Sequence, residues 1–177
     1  MTPLMNSQNE MKRFSVVLVV MMLCTSGVAW GYNGWGLFAA YWDAKDADEG
    51  YGAGLKISAE MVEGVQLELR GTFFNDLEDE ADAEVIPLEV GLALSHAASE
   101  TVDIYGGGGF GYHLVDADEG DPDDEVGFYL VAGADWNLKE MASLFGEILY
   151  RDVDIDVGPS DVDLSGVGVN LGVLIKW

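Results

Sequence analysis

A chain of 177 residues is sized for one domain, and its formal charge of -24 comes from 32 acidic residues against only 8 basic ones. Binding nucleic acid needs Lys and Arg to neutralise phosphates, so this balance excludes it as a partner. Apolar content of 49%, arranged in alternating segments, argues against a disordered acidic chain, because those segments bury enough surface to offset the ordering entropy.

Met11-Lys12-Arg13 followed by FSVVLVVMMLC has the form of a secretory signal, a short basic segment ahead of an apolar core. The core is shorter than the roughly 20 apolar residues of a spanning helix. Small residues place cleavage after Ala29 or Gly31, so the expected organisation is an N-terminal extension with a cleavable signal over residues 1–31 and one domain over 32–177. Met1 to Glu10 has no evident role, and Met11 is an alternative start. Cys24 lies inside the signal, and Leu23 before it occupies the place where a lipoprotein signal carries a small residue. The exported chain is therefore expected to carry no lipid anchor, no cysteine and no disulfide framework.

Eight alternating runs follow: Trp35–Asp43, Tyr51–Glu60, Val65–Phe74, Val85–Ser95, Thr101–Val115, Val126–Trp136, Ser143–Val153 and Leu164–Trp177. Side chains alternate faces along a strand, so each run reads as a strand with one apolar and one small or polar face. In the last run Val167, Val169, Leu171, Val173, Ile175 and Trp177 share one face, and Gly166, Gly168, Asn170, Gly172, Leu174 and Lys176 share the other. Most runs have the roughly 9–11 residues that a tilted membrane-spanning strand needs.

The connections alternate between long acidic loops (AKDADEG, NDLEDEADAE, DADEGDPDDE, DIDVGPSDVD) and short turns (MVEG, HAASE, NLKEMA). Four loops on one rim and three turns on the other suit eight antiparallel strands. DADEG occurs at 46–50 and again at 116–120, which reads as low complexity in the loops. Alternation alone does not say which face is outside, since a soluble lipocalin-like barrel turns its apolar face inward. The less apolar faces here carry glycine, serine and sparse charges of both signs rather than the dense Lys and Glu of a hydrated surface. Aromatics fall near run ends (Trp35, Trp42, Phe73, Trp136, Tyr150, Trp177), where interfacial girdles would lie.

On these features the chain resembles the small eight-stranded outer-membrane β-barrels of the OmpA and OmpX type, a porin-like family. The resemblance covers everything after the signal and rests on the signal, the eight runs, the loop asymmetry and the terminal aromatic strand. It implies an all-β fold, an eight-stranded antiparallel transmembrane up-and-down barrel in the cell outer membrane, here without a periplasmic domain. It further implies outer-membrane lipid, lipopolysaccharide and the barrel-assembly machinery as partners, with Trp177 as the C-terminal insertion signal.

Parity places Lys56, Arg70, Arg151 and Lys176 inside with Glu60, Glu68, Glu89, Asp103, Asp135 and Glu147. Unpaired charges in a narrow lumen are costly, so cations and carboxylates are expected to pair across it. Glu68 shares a face with Arg70, and Glu147 with Arg151. Such a network reads as a plug, or as a gate whose exchanged partners open a narrow ion path; an eight-strand interior is only just wide enough for side chains. The four outer connections, with Asp43 and Asp152 at the strand ends, hold 22 carboxylates, which solvate and extend the loops or bind divalent cations. Asp152, Asp154 and Asp156 are the candidate calcium ligands, but the following glycine is one place late for an EF-hand start and the alternation fits a strand extension better. No cofactor is implied.

An outer-membrane lipid hydrolase would need a nucleophile beside a base. His96 falls in a periplasmic turn, His113 is expected to face inward with no serine beside it, and Ser165 has lipid-facing parity. Gly106–Gly109 lacks the lysine and helix of a phosphate loop and reads as a site of strand curvature or of close packing of interior side chains. The expected function is therefore non-enzymatic, a structural or surface-interaction barrel with a charge-paired, largely plugged lumen. The alternative is a narrow channel for ions or small solutes, and a lipid A-modifying enzyme is a more distant one.

Overall fold

The computed structural model describes residues 33–45, 47, 49–75, 84–116, 125–139, 141–157 and 160–177. The expected signal over 1–31 and the middles of the acidic loops lie outside the described residues. The described chain forms β1 (Asn33–Ala44), β2 (Gly50–Val62), β3 (Val65–Asn75), β4 (Glu84–Ala97), β5 (Val102–Asp116), β6 (Glu125–Lys139), β7 (Ala142–Asp152), β8 (Asp154–Val157), β9 (Ser160–Asp163) and β10 (Gly166–Lys176).

Eight of these close into a barrel in the order β1-β10-β7-β6-β5-β4-β3-β2. They match the eight alternating runs of the sequence. β1 pairs antiparallel with β10 from Gly34↔Lys176 to Ala44↔Gly166, so the first and last strands seal the sheet and none of the eight is left as an edge. A closed barrel is one of the two backbone arrangements that satisfy their own polar groups in hydrocarbon.

The period-two pattern survives into the fold with its apolar face outward. On β10, Val167, Val169, Leu171, Val173 and the following Trp177 are exposed, while Gly168, Asn170, Leu174 and Lys176 are buried. Leu171 is 64% exposed and Phe110 67%, whereas Arg151 is 0%. Hydrophobics outside and ions inside invert the soluble arrangement, and an apolar belt around the whole circumference has no stable place in water. The rival soluble barrel is thereby discarded.

Inside, large side chains lie across neighbours that lack one. A Cβ on Gly54 would come within 2.2 Å of Phe38 Cζ, and one on Gly133 within 2.6 Å of the Tyr105 ring. These glycines leave room for aromatics in a lumen with no space to spare.

The short connections are tighter than the sequence suggested. β2 runs on through Met61 and Val62 to a two-residue turn, Glu63-Gly64, where Gly64 takes φ 76°, a conformation glycine adopts without a Cβ clash. His96, expected in a turn, is the penultimate residue of β4 and pairs with Ile104. The stretch after Asp152, whose alternation fits a strand extension, is extended but leaves the barrel. β8 and β9 form a separate antiparallel hairpin from Asp154↔Asp163 to Val157↔Ser160. It is tied to the rim by Leu164 N–H donating to Val153 O (3.0 Å), Lys45 N–H to Ser165 O (3.0 Å) and an ion pair between Lys45 Nζ and Asp163 (2.5 Å). Hydrogen bonds from the Lys45 ammonium and then from Ser165 hold the Asp163 carboxyl down at about 2.

Candidate functional site: the barrel lumen

The inward faces of the strands stack into three zones along the barrel axis. The middle zone is ionic. Glu147 on β7 accepts hydrogen bonds from Lys56 Nζ on β2 (2.5 Å), Arg70 Nη2 on β3 (3.1 Å), Tyr105 Oη on β5 (2.7 Å) and Asn170 Nδ2 on β10 (3.2 Å). Glu68 on β3 pairs with Arg70 and, at 2.7 Å, with Lys56. Lys56 Nζ also sits 4.4 Å from the centroid of the Tyr105 ring, and Arg70 Cζ 5.2 Å from that of Tyr129. A second group joins β4 to β7: Arg151 donates from Nε to Glu89 Oε1 at 2.8 Å and from Nη2 to Oε2 at 3.4 Å. All six charged side chains are buried. Three cations face three carboxylates, so the zone balances formally, as burial in low dielectric requires.

The outer zone, toward the long loops, is apolar. Trp42, Phe74, Val85, Val115, Val153 and Leu164 are buried and belong to one cluster. The Trp42 and Phe74 rings lie 5.3 Å apart, and the Arg151 guanidinium lies below them at 5.0 and 5.8 Å from their centroids. His113 is buried beside Trp42, with ring centroids 6.2 Å apart.

The inner zone, toward the short turns, mixes apolar and polar side chains: Phe145, on β7 opposite Asp135, and Leu174 are buried there. Asp103 accepts from Asn137 Nδ2 at 2.8 Å, Lys176 donates to Asn137 Oδ1, and Gln66 Nε2 donates to Ser95 Oγ at 3.2 Å. Asp135 is buried here, on β6 opposite Asp103. Glu60 accepts from Gly64 N–H of the β2–β3 turn at 2.9 Å.

The structure thus brings Lys56, Glu68, Arg70 and Glu147 together, pairs Glu89 with Arg151, and sets Asp103 apart at the inner end. Arg151 does not reach Glu147, although the two share a face of β7. Four residues of strand separate them by about 13 Å, whereas Glu68 and Arg70 are only two apart. Trp42 is also corrected. Its place near a run end suggests the girdle, yet it is fully buried in the lumen. Trp35 and Trp42 are seven apart, an odd number, so one must face in when the other faces out. The same parity could have added Tyr105 and Tyr129 to the site, since both share the inward face of glycine-rich neighbours. Ser165, expected to face lipid, precedes β10, where it donates to Asp152 Oδ1 at 3.3 Å. Asp152 and Asp154 lie at the rim, the latter opening β8, and Asp156 pairs with Asp161 through its backbone. Trp177 is exposed at the inner end of β10, its N–H donating to Asn33 O at 3.0 Å.

A closed antiparallel barrel with apolar side chains outward and buried ions inward is a transmembrane barrel of the outer-membrane class. The chain belongs to the outer membrane protein beta-barrel domain family, whose sequence model matches residues 16–173. It is accordingly a protein of the Gram-negative outer membrane. Among solved structures it is similar to OprG of Pseudomonas aeruginosa, with 22% identity, a TM-score of 0.66, and coverage of 82% of this chain and 95% of that one. It is similar also to neisserial surface protein A (12% identity, TM-score 0.69, 82% and 96% covered) and to the N-terminal barrel of Pseudomonas aeruginosa OprF (12%, 0.58, 84% and 100%). At these identities the likeness is one of fold. No curated protein sequence matches the chain.

Proposed function

We propose that this protein is a non-enzymatic, non-conducting barrel that anchors four acidic loops at the cell surface. The observation that carries the reading is the lumen. A charge-balanced zone spans β2, β3, β4 and β7, and an apolar zone overlies it, so an ion crossing the barrel meets first a packed apolar layer and then partners already engaged. The position of His113 supports a non-enzymatic role, because it is buried in the lumen and not on the face that meets lipid.

The loops are the working surface in this reading. Their carboxylates and the phosphates of lipopolysaccharide are both anionic, so divalent cations, hard ions suited to oxygen ligands, are the natural bridge between them. Barrels reconstituted in lipopolysaccharide vesicles should show calcium-dependent protection of the loops from protease, reversed by a chelator. Replacing the seven carboxylates from Asp116 to Glu125 by their amides should abolish the calcium effect on that loop. Protection indifferent to calcium would remove the bridging role. Trp177, exposed at the terminus of the closing strand, is proposed as the handle for the barrel-assembly machinery. Trp177→Ala should slow the appearance of the heat-modifiable folded form in cells while leaving its stability, once folded, within about 0.5 kcal/mol.

A channel reading has one observation in its favour. Lys56 and Arg70 share the same two carboxylates, Glu68 and Glu147, so partners can be exchanged without leaving any charge bare.

A further inference from the structure

The barrel wall has a flaw on its lipid face. The β3–β4 ladder pairs residues from Val65↔Leu94 to Gly71↔Leu88 and resumes only at Phe74↔Val85. In the same register Pro87 falls opposite Thr72. Proline has no N–H to give a ladder and is ordinarily kept out of strands paired on both sides. Beside the break the outer surface is hollowed into a groove of about 340 Å³. Half-buried Leu69, Gly71 and Leu88 make its floor, and exposed Leu55, Val90 and Phe110 stand along its sides. Gly71 points outward with no side chain, and a Cβ built there meets only Leu88 Cδ2, at 3.4 Å.

We propose that this groove is a binding site for a single lipid acyl chain of the surrounding membrane. The side residues belong to the continuous apolar belt by which the barrel meets hydrocarbon, so the groove is an inward extension of an interface already in contact with acyl chains. The exposed surface of its lining is almost wholly apolar, the charged side chains of Arg70 and Glu89 on the same strands being turned into the lumen, which suits a methylene chain and no charged or sugar-like ligand. A smooth belt residue touches a passing chain on one side; a groove surrounds it, and the added dispersion contacts give that chain a longer residence than its neighbours. The site rests on the membrane location alone and is independent of whether the lumen conducts.

The test compares lipid retained by the whole barrel after mild detergent extraction, read by native mass spectrometry. The wild type should carry one phospholipid or lipid A molecule that survives extraction, and the mass identifies which. Gly71→Leu fills the groove and should remove that adduct, and Gly71→Ala, which adds one methyl group, should weaken it. Gly106→Leu is the matched control, because Gly106 is also outward and a Cβ there meets only Val131 O at 3.7 Å; it should retain the lipid. Heat-modifiable gel mobility verifies that each variant is folded. A wild type without a retained lipid, or an adduct equally abundant in Gly71→Leu, would overturn the site. So would passage of an apolar dye from the groove into the lumen, which would make the break a portal.

Discussion

Replacing Glu147 by Gln should lower the unfolding free energy of the barrel by about 3–5 kcal/mol, the usual cost of leaving a buried ion uncompensated. Glu147 is the point where the ionic zone converges, accepting from Lys56, Arg70, Tyr105 and Asn170. The amide has the same shape but no charge, so Glu68 alone remains to face Lys56 and Arg70. Urea titration of the barrel in lipid vesicles, followed by tryptophan fluorescence and by heat-modifiable mobility, measures the effect. The cause can be separated from simple loss of a hydrogen bond by restoring the balance of charge. In Lys56→Met/Glu147→Gln the remaining pair, Arg70 with Glu68, is again neutral, and most of the lost stability should return. A double-mutant cycle then reports the coupling. Near-native stability of Glu147→Gln alone would mean that water reaches the cluster, and the lumen would have to be regarded as wet.

The fold was legible because a spanning strand writes its two environments into alternate residues. Runs such as VGVNLGVLIKW state the lipid face and the lumen face directly, and the alternation of long acidic and short connections supplies the orientation. Much of the site was legible for the same reason, since inward parity collects Lys56, Glu68, Arg70, Glu89, Glu147 and Arg151. Their partnerships were not. Which cation meets which carboxylate across a barrel depends on the stagger between strands, and no single-strand pattern carries that. Arg151 meets Glu89 from β4, which is 62 residues away in sequence. Trp42 lies near a run end, which suggests a girdle place, but it shares parity with Phe38 and Ala40 and faces the lumen with them. The β8–β9 hairpin was half legible: the alternation after Asp152 suits an extended strand, but nothing in it says that the strand leaves the barrel and pairs with Ser160–Asp163.

The apolar outer zone changes what a gate in this barrel would have to be. Exchange of ion-pair partners in the middle zone leaves Trp42 and Phe74 in place above it, both fully buried, and an ion would still have to shed its water to pass. Two barriers therefore stand in series, and removing either one should leave the barrel closed. In planar bilayers the wild type, Lys56→Met/Glu147→Gln and Trp42→Ala/Phe74→Ala should each be silent, while the quadruple variant should show discrete conductance steps. The aromatic pair is costly to remove, at about 3–5 kcal/mol for each ring, so folding of every variant must be verified by heat-modifiable mobility before recording. The pattern of outcomes identifies the barrier. Steps from Trp42→Ala/Phe74→Ala alone would mean that ions already traverse the charged zone and that the aromatic layer is the sole seal. Steps from Lys56→Met/Glu147→Gln alone would mean that the layer does not exclude water, and the charge network would then be the gate by itself. Silence in the quadruple variant would place the obstruction in the pairs it leaves intact, Glu68–Arg70 and Glu89–Arg151, or in the loops above.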